Sequence, residues 1–239
     1  MTLQPFKKQP KHLLVDIDTQ KDFLLARGNA CIRNHAEVLA NIRRVMAWAR
    51  HKNIPVISTA EVYRNNGEED AVGYCIDGTD GQRKIPYTLL NNRTSFPADN
   101  KNALPLDLLQ VHRQVILHKR CIDPFDEPRI DRLLSELQAG DFILIGAGTE
   151  DAIKATALGL LQRGKKVMVV VDALGSHNNR DAKLALRAME AKGAKLIETK
   201  KIAGVSHLRC IGTCGCESCR RRAQERKSSQ VFLAEDIKG

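Results

Sequence analysis

The chain has 239 residues, of which 43% are apolar, 28% charged and only 4% aromatic, a balance that excludes a mainly disordered polymer and lets a core form without covalent staples. No run approaches the roughly 18 apolar residues of a membrane span, and the opening MTLQPFKKQPKH has no apolar signal core, so the expectation is a cytoplasmic protein without membrane contact. The formal charge is +10, and residues 200–239 supply +5 of it from 9 basic and 4 acidic side chains; this end reads first as a solvated surface and second as a nucleic-acid contact, because aromatic residues do not interleave with the charges.

In chain order, His12–Asp18 (HLLVDID) is a buried-strand pattern, Asn34–His51 carries Val38, Ile42, Val45, Met46 and Ala49 at helical spacing, and Ile54–Thr59 is the next strand. That is a βαβ unit. Residues 62–104 have no clear period and are rich in Gly, Asn and Asp, so they read as a long functional excursion. The alternation resumes with strand Val115–Lys119, helix Arg129–Gln138, strand Phe142–Gly146, helix Asp151–Gln162, strand Lys166–Asp172, helix Arg180–Lys192 and strand Ala194–Glu198. Six apolar strands joined by amphipathic helices predict a three-layer α/β/α sandwich around a mostly parallel sheet, Rossmann-like in order. Residues 1–200 form that domain and 201–239 a basic, Cys-rich extension. Ligands of such sheets sit beyond the carboxyl ends of the strands, which singles out Asp18, Thr59, Glu61, Lys119, the 146–152 stretch and Asp172.

Three of these strand ends carry a pattern. The first runs through VDIDTQKDF (15–23), the third through HKRCIDPF (118–125), and the fourth through IGAGTEDAIKATALGLLQRGKKVMVVVDA (145–173). Together they resemble the isochorismatase-like cysteine hydrolases, the family that includes the nicotinamidases. IDTQKDF matches the family's IDMQNDF-like motif, Lys119 and Phe125 its Lys followed by Phe, and GAGTEDAIKATA its GxxTDxCVxxTA motif. GKKVMVVVDA matches GYxVxVVxDA, and Tyr74–Gly81 (YCIDGTDG) looks like its HCVxGTPG segment.

The resemblance implies a hydrolase acting on C–N or ether bonds, in which an Asp takes a thiol proton, a Lys stabilises the thiolate, and a Cys at a helix N-terminus attacks the substrate. It places the Asp at Asp18, the Lys at Lys119 and the Cys at Ala152. It also implies a strained cis peptide between Ala147 and Gly148, aiming the oxyanion N–H groups of the turn that holds Ala152. A methyl group has no nucleophile and no titratable proton, which closes the family's covalent route. Three readings stay open: a residual structural ion pair, retained binding of a small amide- or carboxylate-containing molecule, or altered chemistry. An engineered Cys→Ala exchange would leave the same sequence. The metal positions of the nicotinamidases fall on Glu61, Tyr63 and Tyr74, where two phenols replace imidazoles, so no catalytic cofactor is expected. Because the family forms dimers and larger assemblies, a homo-oligomer is the expectation.

Asp16 and Asp18 also form a DxD, the opening motif of Mg²⁺-dependent haloacid-dehalogenase-like phosphatases, although Gln20 stands where a Thr belongs and Asp172 and Asp181 are badly spaced for the metal. Cys121 would share a face with Lys119 if the strand continued, but reads as a small buried hydrophobe. In the tail, Cys210, Cys214, Cys216 and Cys219 follow His207 in a C-x3-C-x-C-x2-C pattern, with Gly212 and Gly215 between them. Such a cluster suits one structural Zn²⁺. Arg220–Arg222 come next, so a zinc loop binding nucleic acid is the interaction-protein alternative.

Overall fold

The computed structural model describes residues 3–4, 6, 9–64 and 72–204; the four tail cysteines, and with them the expected zinc loop, lie outside them. Strand β1 (His12–Ile17) is followed by α1 (Lys21–Leu24), α2 (His35–His51), β2 (Val56–Glu61), β3 (Arg93–Phe96), α3 (Leu108–Val111) and β4 (Gln114–Lys119). Then come α4 (Pro128–Glu136), β5 (Asp141–Ala147), α5 (Lys154–Gln162), β6 (Val167–Gly175), α6 (Asn179–Ala191), β7 (Lys195–Ile197) and α7 (Thr199–Ala203). The strands form one 7-stranded sheet in the order β3-β4-β2-β1-β5-β6-β7, with every pairing parallel.

A parallel sheet covered on both faces requires near-continuous apolar strands, and β1 and β5 supply them. Leu13, Val15, Ile17, Phe142 and Leu144 join one core, beneath Leu108 of α3, Leu133 of α4, Leu160 of α5 and Met189 of α6. Leu14, Ile143 and Ile145 join the other, with Leu24 of α1, Ile42 and Met46 of α2, and Ile202 of α7. These are the three layers that the sequence predicts, with one strand more.

The additional strand, β3, lies inside the 62–104 excursion. It is a four-residue edge strand, RTSF, whose residues alternate between exposed and half-buried, so it has no apolar run to announce it. At the other edge β7 is shorter than predicted, while β6 runs on to Gly175. Asp172 therefore lies within β6 and not at its end. Its Oδ1 accepts from Thr199 N at 2.8 Å and from the Thr199 hydroxyl at 2.9 Å, which anchors the start of α7 and takes Asp172 out of the site.

Close approach of β5 to β1 depends on Gly146. It has φ 138°, and a Cβ there would stand 1.8 Å from the Ile17 carbonyl oxygen, so only glycine fits without displacing the central strand. Among the described residues, no helix is long and apolar enough to cross a membrane.

Candidate functional site

Because β4, β2, β1 and β5 are neighbours, their carboxyl ends set Lys119, Glu61, Asp18 and the turn after Ala147 in a row. Glu61 and Lys119 are direct cross-strand partners. Asp18, one residue past β1, has φ 49°, a left-handed conformation uncommon for a residue with a side chain and one that concentrates at functional sites.

The Lys119 side chain has no exposed surface. Its Nζ stands 2.9 Å from Asp18 Oδ2 and 2.7 Å from Glu61 Oε1, and donates to the Cys121 carbonyl at 2.9 Å. Asp18 Oδ1 accepts from the Thr59 hydroxyl at 2.7 Å, and Asp18 N donates to the same oxygen at 3.2 Å. Glu61 Oε2 accepts from the Tyr63 hydroxyl at 3.2 Å. Tyr63 meets Tyr74 edge to face with ring centroids 5.7 Å apart, and Phe23 meets Tyr74 in the same manner at 5.4 Å.

Burial and the Asp18 charge push the Glu61 carboxyl up to about 6, against the pull of Lys119. For Lys119, burial alone would lower the ammonium's pKa, but the two carboxylates outweigh it and hold the group above its usual value. The Tyr63 phenol is raised by burial and then by the Glu61 charge, and the Cys75 thiol by the same two causes.

The surrounding shell is tied to backbone. Gln20 clamps Glu61 from both sides: Nε2 donates to the Glu61 carbonyl and Oε1 accepts from Glu61 N, both at 2.8 Å. Asp22 Oδ2 accepts from Cys75 N at 2.7 Å and Oδ1 from Asn29 N at 3.1 Å, which fixes the segment bearing Tyr74. Asp16 stands apart from this cluster. Its Oδ2 accepts from the Ser58 hydroxyl at 2.8 Å and lies 3.1 Å from Lys84 Nζ, which also donates to the Thr59 carbonyl at 3.0 Å. The two aspartates of the DxD thus serve different lysines. Among the described residues no group of three or more His, Cys, Asp or Glu could hold a metal, and the phosphatase alternative finds no support.

Cys121 contributes its carbonyl to Lys119, while its thiol donates to the Asp123 carbonyl at 3.1 Å and is pushed up to about 11 by burial. Such a thiol is a structural group. The sequence singled out Glu61 as a strand-end residue and as a metal position of the nicotinamidases, not as a partner of Lys119, and missed the roles of Gln20 and Lys84. Gln20 stood in plain view within IDTQKDF, whereas Lys84 lies in the excursion that carries no readable motif.

After β5 the chain turns at Gly148, with φ 76° and ψ 58°, into one turn of π-helix, Thr149–Ile153, ahead of α5. Ala152 is buried in that turn. The Thr149 hydroxyl donates to the Gly175 carbonyl at 2.8 Å and the Thr156 hydroxyl to the Ala152 carbonyl at 2.6 Å. The expected cis bond between Ala147 and Gly148 is corrected: it is trans, as is every peptide bond among the described residues, and left-handed Gly148 makes the change of direction.

A family model described as the isochorismatase domain matches residues 12–201. The chain belongs to the isochorismatase family. Among solved structures, MAR1 ribonuclease from Caenorhabditis elegans is 24% identical with a TM-score of 0.55, over 83% of each chain. Pyrazinamidase from Pyrococcus horikoshii, in complex with zinc, is 19% identical with a TM-score of 0.62, over 79% of this chain and 99% of its own. N-carbamoylsarcosine amidase from Thermoplasma acidophilum is 20% identical with a TM-score of 0.57, over 79% and 96%. At these identities the likeness is one of fold. No curated protein matches the sequence.

Zinc does not fit this isochorismatase-family chain at Glu61, Tyr63 and Tyr74. One Glu61 oxygen is held by Lys119 and the other by the Tyr63 hydroxyl, and both phenols are raised above their ordinary value by burial, which keeps them neutral and poor as ligands.

Glu61 also sets a pH dependence. Its folded value of about 6 lies above the ordinary 4.5, so protonation favours the folded state. That contribution, on the order of 2 kcal/mol, is full below pH 4.5 and is lost as pH rises through 6. Glu61→Gln is expected to flatten this part of the stability profile, as read from urea midpoints between pH 4.5 and 7.

Proposed function

We propose that this isochorismatase-family chain binds a small amide- or carboxylate-containing molecule and does not process it by the family's cysteine route. Ala152 carries the reading. It is buried in the turn after left-handed Gly148, at the end of β5 and next to the β1 end that bears Asp18, and we take it as the position of the nucleophile. Without a thiol, Asp18 has no proton to take and Lys119 no thiolate to stabilise, and loss of a covalent nucleophile costs several powers of ten in rate. The purified chain is expected to show no turnover of nicotinamide, pyrazinamide or isochorismate, and no acyl adduct by intact mass. An acyl adduct on any residue overturns the reading.

A second reading is RNA binding. It is favoured by the exposed Arg180, Lys183 and Arg187, one helical stripe along α6, and by the ribonuclease named among the structures that share the fold. The expected outcome is retention of a labelled single-stranded RNA that weakens steeply with salt and is lost on replacing the three by Glu. Equal retention by that variant removes the reading.

For the tail, the proposal is one structural zinc held by Cys210, Cys214, Cys216 and Cys219. Metal analysis is expected to find about one equivalent; below a tenth, with all four thiols titrating freely, the proposal fails.

A further inference from the structure

An ammonium has three N–H donors, and those of Lys119 go to Glu61 Oε1 at 2.7 Å and to the Cys121 and Ile122 carbonyls at 2.9 and 3.4 Å, with Asp18 Oδ2 beside them at 2.9 Å as an ion partner. No donor is left over for a ligand. With both carboxylates ionised, the buried cluster carries one negative charge in excess. Asp18 sits where the family motif places it, whereas Glu61 arrives by register, since β2 and β4 set it directly beside Lys119. It is also held there. Its second oxygen is bound to the Tyr63 hydroxyl, and its backbone is clamped on both sides by Gln20. Lys84, the other buried ammonium at this end of the sheet, is committed to Asp16 and to the Thr59 carbonyl.

We propose that Glu61 is a specificity-determining lock on Lys119: it occupies the ammonium, leaves the site with surplus negative charge, and thereby admits neutral amide-like groups while turning carboxylates away. The inference rests on Ala152 marking the nucleophile position and chooses between the two ligand classes left open there.

The test places a reporter thiol in the site. Ala152→Cys, alone and combined with Glu61→Gln, is treated with iodoacetamide or iodoacetate, and modification of the peptide containing position 152 is followed by mass spectrometry. In both reactions the thiolate forms an S–C bond and iodide leaves, so the reagents differ in the charge of the group carried in. With Glu61 present, the ratio of iodoacetate to iodoacetamide rates is expected to fall at least about tenfold below that of free cysteine. Glu61→Gln should restore it by about tenfold and lower the pH at which the thiol begins to react. Should the Gln variant fail to fold, Glu61→Asp, which keeps the charge but shortens the reach, is expected to restore the ratio in part. A ratio that Glu61 variants leave unchanged but Lys119→Met alters overturns the lock and leaves the reading of Ala152 standing. A ratio that responds to neither overturns both.

Discussion

Burying the Lys119 ammonium removes it from water, a transfer that costs several kcal/mol unless anions and dipoles replace the lost hydration. Asp18, Glu61 and the Cys121 carbonyl supply that replacement, and the three come from three separate strand ends. Each must therefore arrive at a fixed place. The parallel register aligns Glu61 with Lys119, Gly146 allows β5 to lie against β1, and the strained backbone of Asp18 is retained because Thr59 and Lys119 both hold its carboxylate. Removing Lys119 would leave two buried carboxylates without a counter-charge, and the hydrogen bonds to backbone around the cluster leave little freedom to adjust.

What the sequence disclosed follows from the same physics. Strands buried on both faces must be apolar, so β1, β2, β4, β5 and β6 stood out as runs, and the residues at their ends could be compared with a family motif. Asp18, Lys119 and the turn around Ala152 were legible for that reason. β3 was not, because an edge strand half-exposed to solvent needs no apolar run. Asp172 looked like a site residue only because its strand was cut short at an aspartate that turns out to anchor a helix. Glu61 shows a different limit: its identity was visible, but that it reaches Lys119 and not a metal depends on the register between two strands 58 residues apart, which no local pattern encodes.

The two tyrosines line one side of the Glu61 carboxylate. A hydroxyl from Tyr63 closes one Glu61 oxygen, while the edge-to-face contacts from Tyr63 through Tyr74 to Phe23 form an aromatic wall beside the carboxylate. Burial of the carboxylate and the Asp18 charge raise Glu61 even though Lys119 and the Tyr63 hydroxyl both pull it down. Where imidazoles would invite a cation, phenols keep the existing charges strong and confined.

β6 ties two parts of the molecule together. At Gly175 its carbonyl receives the Thr149 hydroxyl from the turn that contains Ala152, and three residues earlier Asp172 grips Thr199 at the start of α7. Helix α7 in turn ends at Gly204, whose carbonyl accepts from Arg44 of α2. The Cys-rich extension thus departs from a root bolted to α2 and β6. One strand carries both the turn that holds Ala152 and the start of α7, so a displacement of β6 is felt at both places at once.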